Sequence, residues 1–283
     1  MPKKRGSRTQ SYHTVLKNGV LGVSQHYPQF ADLDPSNKEK QIPDFLNYVD
    51  HSLCIESKKE YKRLLRAEQK DFNRLVRLMK HNRKSLIVVL QGRDGAGKTG
   101  AVSRIEEALG FDHKIFDGVP IWPPTATELK HSYLWRFMRY DRMPAFGQVR
   151  VFDRSWAERV LIEKVMKLTD SEAIEASYVE LRCFEWLLQR QGCIMVKLWL
   201  DISKDEQKRR FDKRKEEKPW KVADSDDVAR EHWNQYTSAA NELFFRTATE
   251  AAPWFIISSE DKYYSRVTVL HTLNEQLRLA LGE

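Results

Sequence analysis

Residues 92–99, Gly92-Arg93-Asp94-Gly95-Ala96-Gly97-Lys98-Thr99, have the types and spacing needed to hold phosphate. They match G-x-x-x-x-G-K-[ST] in full and follow a five-residue apolar run, Leu86-Ile87-Val88-Val89-Leu90. A β-branched run, then glycines, then a helical segment is the setting in which this phosphate loop works. Gly92, Gly95 and Gly97 let backbone N–H groups turn inward on an anion, with Arg93 beside them. The helix that follows presents its positive dipole end. Lys98 would reach the outer phosphates, and the Thr99 hydroxyl would ligate Mg²⁺.

A phosphate loop needs a second acidic element for the metal, usually an aspartate ending a neighbouring apolar strand. Asp153 closes Val149-Arg150-Val151-Phe152-Asp153 and fits that role; an N-cap for the helix starting near Ser155 is the plainer alternative. Asp94 is less ordinary, because phosphates repel a carboxylate unless it shares the metal or handles a proton. A turn-forming aspartate is its plain reading. Arginines accompany these positions: Arg154, Arg159, Arg209, Arg210 and Arg214. Guanidinium groups grip phosphate oxygens in pairs; a solvated helix face is the competing account of Arg209, Arg210 and Arg214. The charged stretch at 213–221, ending in Lys221, would close over a phosphate donor as a lid.

The elements that must position these residues alternate along the chain. Helical spacing covers 57–81, followed by the strand before the loop and a helix over 99–109. A short strand is expected at 114–119, a helix at 125–140, a strand at 148–152, and helices at 155–168 and 171–191. Then come a buried strand at 193–200, a charged helix at 204–214, a helix at 228–247, a strand at 254–257 and a closing helix at 262–281. Five strands alternating with helices predict an α/β fold of the P-loop kinase kind, a parallel sheet with helices on both faces and a helical lid at about 204–228. Residues 1–55 read as a loosely ordered basic arm, with one short helix near 43–51, and residues 56–283 as the domain that carries the phosphate loop. The 283 residues, 41% hydrophobic, suffice for one such domain and its core. No run approaches a membrane span. Three scattered cysteines form neither a metal spacing nor a disulfide framework and fit a reducing cytoplasm. The net charge of +8 suggests a polyanionic partner or a merely solvated surface.

The chain resembles the polyphosphate kinase type 2 family. The resemblance rests on "GRDGAGKTG" after "LIVVLQ", "YLWRF" at 133–137, "MPAFGQVRVFDRSW" at 143–156, "VKLWLDISKDEQKRRF" at 196–211 and "APW" at 252–254. "FDRSW" with the following "RVLIEKV" is closest in look to members that phosphorylate AMP. The resemblance implies Mg²⁺-dependent phosphoryl transfer between inorganic polyphosphate and a nucleoside mono- or diphosphate. Nucleic acid and membrane are not implied as partners, and assembly into dimers or tetramers is, with the amphipathic helix at 61–79 as a contact or as a flap on its own sheet. Asp94, Lys98, Thr99, Asp153, Arg154, Arg159 and Arg214 fall on the family's functional positions. The family's "SWY" is "SWA" here, with Ala157, and its lid is shorter at "EKPWK". An ATP-dependent nucleoside monophosphate kinase and a non-catalytic nucleotide or polyphosphate-binding protein remain open alternatives.

Overall fold

Eight consecutive residues, Ser85–Gly92, form a strand (β3) in which every side chain is buried. Strands buried on both faces occur where helices cover a parallel sheet on each side. The computed structural model describes residues 12–17, 19–25, 42–217 and 230–283 and has that architecture. Leu86, Val88 and Leu90 join one core cluster, while Ile87 and Val89 join the other, as the two-residue period of a strand requires.

The remaining strands are β1 (Tyr12–Lys17), β2 (Val20–Gln25), β4 (Phe116–Pro120), β5 (Val149–Asp153), β6 (Cys193–Asp201) and β7 (Trp254–Ser258). Their order across the sheet is β1-β2-β7-β6-β3-β5-β4. The pairings of β7, β6, β3, β5 and β4 are all parallel. Among the described residues the sheet therefore has seven strands, not the expected five, and is mostly parallel. The two extra strands lie within 1–55, in place of the expected loose arm. β2 adds antiparallel to β7, from Val20 opposite Ile257 to Val23 opposite Trp254, and buries Leu21 and Val23. The cue in the sequence is Asn-Gly at 18–19 between two six-residue runs. The pairing closes an edge that β7 would otherwise present to solvent.

The α-helices of the described residues pack around the sheet: α1 (Lys58–His81), α2 (Lys98–Ala108), α3 (Ile162–Val165), α4 (Ser171–Arg190), α5 (Lys204–Glu217), α6 (Trp233–Thr247) and α7 (Lys262–Leu281). α1, α2 and α7 cover one face through Leu75, Ile105 and Leu270, and α4 and α6 the other through Leu181 and Phe244. Ser57 starts α1 as a cap, accepting from the Glu60 N–H. The apolar face of α1 (Tyr61, Leu65, Phe72, Leu75, Val76, Met79) is buried against its own sheet and α7. That face is the flap, and it is not exposed for contact with another chain. Three expected helices are shorter: 43–51 keeps a 3-10 turn (Phe45–Tyr48), 125–140 keeps two (Glu128–Lys130 and Tyr133–Arg136), and 155–168 keeps Trp156–Arg159 and α3. The lid expected at 204–228 is described only through α5; Lys221 lies outside the described residues. Among those residues no helix is long and apolar enough to cross a membrane.

Candidate active site

The loops after β3 and β5 leave the carboxyl edge at the centre of the sheet, where open α/β sheets bind ligands. The chain turns out of β3 at Gly92, whose φ is 144°. A Cβ there would stand 2.3 Å from the Leu200 carbonyl oxygen, so only glycine permits this close approach to β6. Gly97, at φ 97°, precedes α2 without a capping side chain, which leaves first-turn N–H groups as donors for an anion.

Parallel register sets Asp153 beside Leu90, and its carboxylate meets the loop. The Thr99 hydroxyl donates to Asp153 Oδ2 at 3.3 Å, joining two oxygens that are 54 residues apart. Ser155, not Asp153, caps the following turn by accepting from the Ala157 N–H, so the plain capping explanation of Asp153 falls away. Arg154 takes a left-handed backbone, φ 67°, a conformation that costs a non-glycine residue about 1 kcal/mol or more and concentrates at functional sites. Its Nη2 donates to Asp94 Oδ1 at 3.0 Å. Lys98 curls over the loop, donating to the carbonyls of Gly92 (2.9 Å) and Arg93 (3.1 Å), with Asp94 Oδ1 at 3.8 Å. Asp94, Lys98, Thr99, Asp153 and Arg154 thus share one cleft.

The other arginines divide. Arg93 is buried: its Nε donates to Asp201 Oδ1 at 3.1 Å, its Nη2 to Thr237 Oγ1 at 3.0 Å, and its guanidinium lies 3.6 Å from the Trp233 ring centroid. Arg210 is buried as well, bonded to Glu206, the Gly95 carbonyl and the Ser259 carbonyl. Phe211 covers Gly95 and Gln207 donates to the Asp94 carbonyl. These contacts dock α5 on the phosphate loop, so Arg93 and Arg210 hold the loop in place. Arg209 is exposed and paired with Glu206, and Arg214 stacks on Phe211. Arg159 turns away from the loop, bonded to Glu163 and Thr169 and lying over the Tyr133 ring.

Three features escape the motif reading. Glu158, five residues after Asp153, is in the electrostatic field of Arg154, Lys98 and Asp94; burial raises its pKa against the pull of the two cations. The Gln91 amide nitrogen is 2.8 Å from its Oε1 in the orientation that also accepts from Ser155. The cue to Glu158 is its place in the same stretch as Asp153 and Arg154. Arg266, on α7, reaches within 3.3 Å of where a Cβ of Gly100 would stand, and Lys262 has its pKa lowered by burial and by Arg210 and Arg266. This cationic pair borders the start of α2. Finally, His51 Nε2 is 3.3 Å from Asp201 Oδ2, on the same carboxylate that holds Arg93. That hydrogen bond raises the His51 pKa above 6.5; burial opposes it, Glu260 adds to it and Arg93 subtracts. A raised histidine contributes stability that is complete below about pH 6.5 and is lost as pH rises through the folded-state value. His51→Gln is therefore expected to lower the melting temperature more at pH 6 than at pH 8.5; an equal drop at both would mean that His51 acts without its charge.

Among the described residues no three His, Cys, Asp or Glu side chains cluster as a metal site. A hydroxyl and one carboxylate converging at a phosphate loop are the donor set of an ion that keeps waters and takes its other ligands from substrate phosphates. The sequence profile of Polyphosphate kinase 2 matches residues 55–282, which takes in every element that builds this cleft. The chain belongs to the polyphosphate kinase 2 family. It is 39% identical over 262 residues to a polyphosphate:AMP phosphotransferase of Pseudomonas aeruginosa, a match covering 91% of this chain and 51% of that protein. It is 32% identical to an NDP-polyphosphate phosphotransferase of Ruegeria pomeroyi, covering 80% and 73%. A Pseudomonas aeruginosa crystal structure described as a putative polyphosphate kinase 2 superposes with a TM-score of 0.80 at 36% identity, covering 88% of this chain and 53% of that one. The chain thus spans about half the length of the AMP phosphotransferase it matches. As a polyphosphate kinase 2 family member it has the phosphate loop, the strand-end aspartate and the docked α5 in one unit.

Proposed function

We propose that this chain transfers a phosphoryl group between inorganic polyphosphate and a nucleoside mono- or diphosphate. The observation that carries the reading is the convergence of Thr99 and Asp153 at 3.3 Å within a cleft that also holds Lys98 and Arg154. Mg²⁺ would be held by Thr99 and Asp153 and would neutralise charge on the transferred group. The loop N–H groups and Lys98 bind the phosphates, and Arg154 stabilises the negative charge that spreads over the transferred group. Asp94, read from sequence as a third metal ligand, faces Arg154 and Lys98 and orients both cations. Lys262 and Arg266 extend the positive surface past the start of α2, a path for a phosphate polymer. Residues 204–228, lid arginines and Lys221 included, exclude water so that the donor is not hydrolysed. A dimer or tetramer, formed through a face other than that of α1, and a cytoplasmic setting belong to the same reading.

The test is direct. Purified protein with Mg²⁺ is incubated with polyphosphate and each of AMP, ADP, GMP and GDP, and the products are resolved. The expected result is a nucleotide one phosphate longer, formed only with polyphosphate. Product formed with ATP as donor and none with polyphosphate would overturn the proposal in favour of an ATP-dependent kinase. Nucleotide binding with no product under either donor would leave a binding protein.

A further inference from the structure

Trp122 is 73% exposed and lies two residues past the carboxyl end of β4, the strand paired with β5. Pro120 is in register with Asp153, and the Ile121 N–H donates to the Asp153 carbonyl at 3.0 Å. Trp122 is thus the first residue past the backbone bond to the strand-end aspartate. Scattered surface aromatics are ordinary, but this one stands on an immobilised backbone. Arg136, itself buried, donates to the Trp122 carbonyl at 2.5 Å. Pro123 and Pro124 follow, which fixes two φ angles and disfavours a helical backbone at Trp122. The far end of the loop is clamped by Thr125 and Glu128, each accepting from the other's N–H. Arg142, 3.1 Å from Glu128, neutralises the buried carboxylate. A charged network anchored in the core therefore holds the backbone of an exposed tryptophan just past the carboxyl end of β4.

From this geometry we infer that Trp122 is the stacking platform for the nucleobase of the nucleotide, a residue that sets nucleotide affinity. The inference rests on the proposed function. A phosphate polymer offers no π face, and an indole quadrupole does not attract an anion. Of the two proposed substrates, only the nucleotide can use this side chain. Stacking on a held aromatic is tolerant of base identity, so Trp122 raises affinity for nucleotides as a class. Its rigid mounting lowers the ordering cost of binding.

The experiment measures AMP and ADP dissociation constants by calorimetry, and the KM for each substrate, in wild type, Trp122→Ala and Trp122→Phe. The side chain is exposed, so both variants are expected to melt with wild type. Trp122→Ala should weaken the preferred nucleotide by about 5- to 150-fold, with the polyphosphate KM within twofold of wild type; Trp122→Phe should recover most of the loss. Equal nucleotide binding by wild type and Trp122→Ala would overturn this inference alone, as would an equal rise in both KM values. If wild type bound neither AMP nor ADP, the reading of the site would fall and this inference with it.

Discussion

Lys98→Ala is expected to reduce polyphosphate-dependent turnover by about 10³-fold or more, the scale on which cationic groups stabilise phosphoryl-transfer transition states, while the protein stays folded. The Lys98 ammonium is held against the loop backbone, 2.9 and 3.1 Å from two loop carbonyls. Those bonds pre-position it at the mouth of the N–H cradle. Removing it leaves two carbonyls short of a donor, at a cost of roughly 1–3 kcal/mol, which lowers the melting temperature without unfolding the chain. Steady-state kinetics with polyphosphate and the best nucleotide, read beside a thermal melt, separate the two effects. A Lys98→Ala protein with near-wild-type turnover would dismiss this cleft as the site of transfer.

Arg93→Ala is expected to do the reverse of what a phosphate ligand would do. It should lower unfolding free energy by about 3–5 kcal/mol, the usual cost of leaving a buried charge without its partner. Asp201 would keep the Trp199 indole N–H and His51 as neighbours, and the Trp233 ring would lose the guanidinium that lies over it. Arg93→Lys should recover little, because an ammonium cannot span Asp201 and Thr237 while stacking on an indole. Urea unfolding measures the change as a lower midpoint with an unchanged slope. A variant of wild-type stability with a raised polyphosphate KM would return Arg93 to the ligand-binding set.

Features that are local along the chain can be recognised from the order of residues. The phosphate loop, the apolar run that leads into it and the aspartate closing β5 are contiguous patterns. Their chemistry depends on neighbours within a few residues, so Lys98, Thr99 and Asp153 are legible from the order of amino acids alone. The βα alternation likewise implies parallel strands under helices. The direction in which each arginine points is not legible, because their partners are remote: Asp201 lies 108 residues from Arg93, and Gly95 lies 115 from Arg210. A guanidinium can hold phosphate or brace a loop with the same atoms, and only the packed neighbours decide which. The same holds for Glu158, whose raised pKa comes from burial beside two cations. It holds too for β1 and β2, whose place in the sheet depends on an edge left open by β7, at the far end of the chain. Backbone pairing and charge compensation across such distances are properties of the folded chain, since residues far apart in sequence acquire an interaction energy only when the tertiary structure brings them within a few ångströms.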